Sequence, residues 1–257
     1  MSGMKQIVFW QDENCPKPEL SSAYACFDMN SSTAIEDAKE LASSQNCFQA
    51  IFFVSLENKR KLERAGFSTW LMGEMALSYH YQWLMMAAPD LLFSPNPALF
   101  PFQYVCDRPA ILPSEFFIRP DAGDKTFSGQ VLHPQDLSIL KQTYPVPPDT
   151  LVIISETRSI ICEWRYIIDI ENQTIISARP YWHDFNIPLI QPIPLDFVSK
   201  SVRQLHRANA PEIIVLDFAV DENNVPGILE INSISTSGLY GASTQDICHA
   251  LSKLAYL

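Results

Sequence analysis

A chain of 257 residues, 47% apolar and 18% charged, has the material for a full core and the composition of a globular protein, which excludes a disordered one. Its net charge of −11 repels a phosphate backbone, so no nucleic-acid partner is expected. Six cysteines, widely spaced and without a C-x-x-C pair, argue for reduced structural thiols rather than a disulfide framework or a zinc site.

The chain opens MSGMKQIVFWQDEN, with no long apolar run behind its lysine, so no secretory signal is expected there. The window YHYQWLMMAAPDLLF is too short and too interrupted to span a bilayer. A cytoplasmic protein with no membrane partner is the expectation. KQIVFW and QAIFFVS read as strands, whereas TAIEDAKELASSQ, LENKRKLERAG and MGEMALSYHYQWLMMA read as helices. Their alternation predicts a small parallel α/β layer over residues 1–93. Lys59, Arg60 and Lys61 fall on a solvated helix face in this reading. A proline-rich stretch, residues 94–113, reads as a linker.

From residue 114 to 257 the rhythm changes to paired strands with intervening helices, and the class expected for this part is α+β. SEFFIRP and SGQVL flank a loop that holds Gly123, Lys125, Thr126, Ser128 and Gly129, with Arg119 at the end of the first strand. Glycines let backbone amides approach a phosphate, and Arg119 and Lys125 bring charge. A surface turn with incidental charges reads the same way, and neither a Walker A loop nor G-x-G-x-x-G is present. Next come LVIISE and CEWRYIIDI, in which Glu163 and Arg165 share a face, as an ordinary same-strand ion pair also would. His133, His183 and His206 have no Ser or Cys partner at readable spacing and are taken as structural or surface residues.

EIIVLDFAVDENNVPGILEINS reads as a hairpin with its turn at residues 222–225. Ile214, Leu216, Phe218 and Val220 share the core face with Leu229 and Ile231, and Ile228, Glu230 and Asn232 share the other with Asp217. A symmetric turn sets Asp217 opposite Glu230. Like charges in that position are destabilising, and the apolar residues between them make an unpaired charge costlier. A Mg2+ ion, held by one or two carboxylates and completed by water and phosphate oxygens, resolves the conflict. Acids that face water resolve it too. A helix-like LDFVSKSVRQLHRA precedes this hairpin, and TQDICHALSKLAYL closes the chain.

Together these stretches resemble the ATP-grasp family. The resemblance rests on Arg119-Pro120, the loop GDKTFSG, Glu156 and Glu163 seven apart, and Asp217, Glu230 and Asn232 at spacings of thirteen and two, as in the D-alanine:D-alanine ligase branch. It implies two α+β subdomains gripping ATP, preceded by a small α/β domain. It also implies that Arg119 stands where relatives carry a phosphate-binding lysine and that Lys125 and Thr126 cover the phosphates. The turn from Glu156 to Ser159 would meet adenine, Glu163 would take the ribose, and Asp217, Glu230 and Asn232 would hold Mg2+.

Two features depart from the pattern. Val215 occupies a position where many ligases have arginine, and an upstream lysine has no counterpart, so Arg165 is the candidate replacement for one of these cations. The activity implied is an ATP- and Mg2+-dependent carboxylate-amine ligase that works through an acylphosphate, on a small-molecule or peptide carboxylate and an amine. The swap of arginine for lysine is similar to a divergent bacterial and phage subgroup. A kinase on the same scaffold and a non-catalytic nucleotide-binding module are the alternatives. Acceptor groups are expected near SISTSGLYG and SARPYWHDFN, where Arg179 could fork onto a substrate carboxylate.

Overall fold

The structure is a computed structural model that describes residues 5–11, 20–69, 81–94, 96–123, 126–183 and 192–254. Its N-terminal sheet holds β1 (Gln6–Trp10), β2 (Tyr24–Asp28), β3 (Gln49–Phe53) and β4 (Ser68–Thr69), all parallel, in the order β2-β1-β3-β4. Two crossover helices, α1 (Ala34–Gln45) and α2 (Leu56–Arg64), join them. Every residue of QIVFW is buried because this strand is covered on both faces. Ile7 and Phe9 pack with Ala38, Ala42 and Leu62 of the helices, while Val8 and Trp10 turn toward the C-terminal half. One expectation fails here: Lys59 is only 6% exposed, because it lies on the buried face of α2 with Leu62.

Helix α3 (Tyr81–Ala87) is followed by a segment that lies against the C-terminal sheet, with Leu91 and Phe93 buried. The proline-rich stretch is itself folded. It supplies β5 (Ala98–Pro101) and α4 (Phe102–Asp107), whose Phe102 and Val105 enter a core with Phe116, Ile118 and Val152. Prolines end these short elements without preventing them; Pro101 closes the strand and stands just before the helix, where a missing N–H costs nothing.

The middle sheet is antiparallel, in the order β5-β8-β6-β7, with β6 (Phe116–Pro120), β7 (Gln130–Leu132) and β8 (Leu151–Ser155); α5 (Leu137–Thr143) packs on it. The last sheet contains β9 (Ile160–Asp169), β10 (Thr174–His183), β11 (Ile213–Asp221) and β12 (Pro226–Asn232), in the order β10-β9-β11-β12. Helix α6 (Leu195–Arg207) covers one face through Val198, Val202 and Leu205. Helix α7 (Thr244–Leu254) and the N-terminal strands cover part of the other, where Ile213, Val215 and Ile167 meet Val8, Trp10, Phe53, Ile247 and Leu251.

β11 and β12 form the expected hairpin, and Asp217 is paired with Glu230. The expected division of faces is corrected beyond that pair. A bulge after Asp217 brings Phe218 opposite Ile228, so Ile228 joins the core with Phe218 and Leu229 turns to the face of Glu230. An inserted residue reverses the alternation on one strand only.

Candidate functional site

A cavity of about 310 Å³ opens where the middle sheet meets the C-terminal one. Phe117, Phe127 and Ile160 give it apolar walls, and Arg119, Glu163 and Glu230 give it charge. Arg119 lies near the end of β6, with Nη2 donating to Glu230 Oε2 at 3.1 Å and Nη1 to the Leu229 carbonyl at 3.4 Å. Its guanidinium also sits 5.0 Å from the centre of the Tyr81 ring. That ring is fixed by the start of α3, where the backbone N–H groups of Tyr81 and Gln82 donate to the carbonyl and carboxylate of Asp121 at 2.9 and 2.8 Å. Burial raises the Tyr81 hydroxyl above its ordinary pKa, so it stays neutral beside the arginine. Gly129 completes the wall because a Cβ there would come within 2.7 Å of the Phe117 ring.

Behind this wall lies a charged network. Arg165, directly opposite Asp217 across β9 and β11, donates from Nε and Nη2 to its two carboxylate oxygens at 2.8 and 2.6 Å. Nη1 of the same side chain donates to the Gly238 carbonyl at 3.0 Å, which ties the loop after β12 to the sheet. Asn232 Nδ2 bridges the acids, 3.1 Å from Asp217 and 2.9 Å from Glu230. Asp217 is fully buried. Burial pushes its pKa up to about 6, Arg165 pulls it down, and Glu230 adds to the rise.

The residues picked from the sequence thus divide. Arg119, Glu163 and Glu230 line the cavity, Arg119 from the middle sheet and the two acids from the C-terminal one, and Arg165, Asp217 and Asn232 form the network that adjoins Glu230. Thr126 adjoins Phe127 of the cavity wall, and Lys125 lies outside the described residues. Glu156 and Ser159 sit on the turn between β8 and β9, both exposed, and neither lines the cavity. Glu156 Oε1 is 3.5 Å from Asn96 Nδ2, and Ser159 borders an open cleft of about 750 Å³ with Arg158 and Asp221. His133 has a ring nitrogen 2.6 Å from the Ser114 carbonyl, in keeping with a structural role.

Reading the sequence missed Arg158 and Tyr81. Arg158 forks onto Asp221 Oδ2 at 3.0 and 2.7 Å, donates to the Phe93 carbonyl at 2.9 Å and lies 4.7 Å from the Phe93 ring centre. It pins the turn between the two sheets to the segment after α3. Neither residue has a local pattern that betrays it, since their partners are 63 and 38 positions away by subtraction of residue numbers (221 − 158 and 119 − 81).

The residues present fit a hard cation in part. Glu230 and Asn232 carry oxygens at or next to the cavity wall, as Mg2+ requires. Asp217 has both oxygens in the Arg165 fork, so it would join only through its remaining lone pairs. Among the described residues no group of three His, Cys, Asp or Glu side chains is placed to hold a metal.

Comparison with known proteins gives consistent results. The family described as ATP-grasp domain, clade family 2, matches residues 107–250, more than half of the chain. No curated protein matches. Among solved structures, D-alanine–D-alanine ligase from Bacillus anthracis is 12% identical with a TM-score of 0.61, covering 99% of this chain and 98% of that one. The same enzyme complexed with ATP gives 13% and 0.60, over 99% and 98%. N5-carboxyaminoimidazole synthetase from Staphylococcus aureus is 12% identical at 0.58, over 96% and 70%. At these identities the likeness is one of fold.

Proposed function

Because the chain belongs to the ATP-grasp family, we propose that it is an ATP-dependent ligase that joins a carboxylate to an amine and releases ADP. The observation that carries this reading is the meeting of Arg119 and Glu230 at a cavity that Glu163 also lines, with Asn232 bonded to Glu230. Activating a carboxylate as an acylphosphate asks for little covalent chemistry from the protein; it asks for positioning and charge neutralisation. Arg119 supplies a permanent, planar cation, held by the Leu229 carbonyl and the Tyr81 ring. Phe117, Phe127 and Ile160 suit the faces of a purine, and Glu163 suits ribose hydroxyls. The family likeness is what supports Lys125 and Thr126 at the phosphates and Glu156 and Ser159 at adenine, since the last two lie outside the cavity.

Glu230 and Asn232 would hold Mg2+, with Asp217 behind them. When bound, the ion would neutralise phosphate charge and orient the transferred group. Arg165 acts through Asp217: it holds the carboxylate in place and takes the part of a positioning residue. The substrates are a small-molecule or peptide carboxylate and an amine. A division after residue 93 is proposed with it, with 94–113 joined to the unit that follows because β5 pairs with β8, as is a cytoplasmic setting, which the five unbridged cysteines among the described residues support. A non-catalytic nucleotide binder is the second reading, favoured by the complete burial of Asp217 in the Arg165 fork.

Thermal unfolding with and without ATP and Mg2+ tests the proposal, beside Asp217→Asn and Glu230→Gln. At a hundred times its dissociation constant a ligand adds about 2.7 kcal/mol, or roughly 5 to 10 °C for a chain of this size. The wild type should show this shift only with Mg2+, both variants should lose most of it, and ADP release with a suitable substrate should separate ligase from binder. No shift at saturating nucleotide would sink the reading.

A further inference from the structure

The C-terminal sheet carries a row of charge that the nucleotide site uses only at one end. Along the row, Arg179 of β10 is paired with Arg165 of β9, Arg165 with Asp217 of β11, and Asp217 with Glu230 of β12. Opposed residues of antiparallel strands share a face, so Arg179 extends the site beyond Arg165. Two arginines in a cross-strand pair repel. Arg165 is already matched by Asp217, whereas Arg179 is exposed and has no acidic partner among the described residues. Among the described strands β10 is an edge, and the face opposite Arg179 is the one that α6 covers, where Ala178 packs against the core.

A bulge between Pro180 and Trp182 brings Trp182 opposite Glu163, so Arg179 and Trp182, three apart in sequence, lie on the same face. Without the bulge they would point to opposite sides. Trp182 is 44% exposed. On the inner side of the row the Tyr240 ring lies 5.1 Å from the Arg165 guanidinium and is 51% exposed, at a residue held with φ +47°. A bulky side chain is seldom found there unless its surroundings impose it. An exposed guanidinium thus shares its face with two exposed aromatic side chains, Trp182 opposite Glu163 and Tyr240 over Arg165.

We propose that Arg179, with Trp182 and Tyr240 beside it, forms a subsite for a carboxylate of the substrate other than the one that is activated, and that the substrate is an acidic peptide. Arg179 lies three strands from Glu230, about 14 Å at the usual strand spacing. A ligand with one carboxylate on Arg179 must span from β10 toward Glu230 on β12, which an extended peptide does more readily than a single small amino acid. The fork of Arg179 suits a carboxylate, and the aromatic faces suit peptide planes and side-chain stems. The anion contact stands by itself, while the identification of the far end as the reacting end rests on the ligase reading.

The test is isothermal titration of the full chain with triglutamate, and with triglutamine amide as the uncharged control, with and without ATP and Mg2+. Triglutamate should bind, the control should bind at least tenfold more weakly, and Arg179→Ala should weaken triglutamate at least tenfold. Arg179→Lys should recover part of the loss, because it restores charge without the fork, and Trp182→Ala should weaken binding several-fold. Equal binding to the wild type and Arg179→Ala, or no binding to the wild type, overturns the subsite even where ATP stabilises the protein. Binding through Arg179 with no ATP shift upholds the subsite and overturns the ligase reading.

Discussion

At the scale of single residues, the pair Arg165–Asp217 decides how the site is held. Both side chains are buried, and their mutual attraction offsets a desolvation cost of several kcal/mol per ion. Removing either partner leaves the other as an uncompensated buried charge. Arg165→Ala and Asp217→Ala should each lower stability by roughly 3 to 5 kcal/mol, while the double variant should lose clearly less than the sum. Urea denaturation of the four proteins measures this. Asp217 also sets a pH dependence. With its pKa raised by burial to about 6 against an ordinary 3.8, the folded chain takes up a proton before the unfolded one does. Its contribution is therefore fully present below about 3.8 and is lost as pH rises through 6. Over that window the wild type should lose up to about 3 kcal/mol relative to Asp217→Asn as pH rises. Asp221 has the opposite sign: burial opposes its ionisation, but hydrogen bonds from Val225 and Arg158 prevail and lower its pKa, so its contribution is lost on acidification. Comparing the variant with the wild type between about pH 4 and 7 isolates Asp217 from it.

At the scale of elements, irregularities place the chemistry. The bulge after Asp217 keeps Asp217 and Glu230 together while it sends Ile228 into the core and Leu229 to the cavity. Gly227, beside that bulge, meets the segment after α3. A Cβ there would lie 2.4 Å from Phe93 Cα, and the Phe93 N–H donates to the Ile228 carbonyl at 2.8 Å. Backbone on backbone leaves nothing flexible to yield. Gly227→Ala should destabilise by about 1 to 3 kcal/mol, through overpacking at this crossing. Differential scanning calorimetry should read a drop of several degrees, and an unchanged melting temperature would mean that the segment is not held there. The same segment is gripped from the other side by Arg158, so the crossing fixes how β12 and the turn after β8 approach each other.

At the scale of the molecule, the C-terminal sheet has two uses for one face. Ile167, Ile213 and Val215 bind the N-terminal strands, and two residues further along Asp217 begins the charged site. The N-terminal layer therefore dries one end of the face on which the acids sit, which is why Asp217 is buried without being in the middle of a domain. Among the described residues no helix is long and apolar enough to cross a membrane. Much of this was legible in the residues alone. Period-two alternation and turn chemistry predict the Asp217–Glu230 pairing, and helical periodicity predicts α1, α2, α6 and α7, because these signals are local. The order of basic end, glycine loop, paired glutamates and acid set points to the family for the same reason: each part is a short stretch. Tertiary structure alone decided the rest. That Arg165 grips Asp217, that Tyr81 lies against Arg119, that Lys59 is buried and that bulges turn Leu229 and Trp182 toward the site all depend on which strands become neighbours. Strand order and an inserted residue are set by the packing of distant segments, and no local period carries that information.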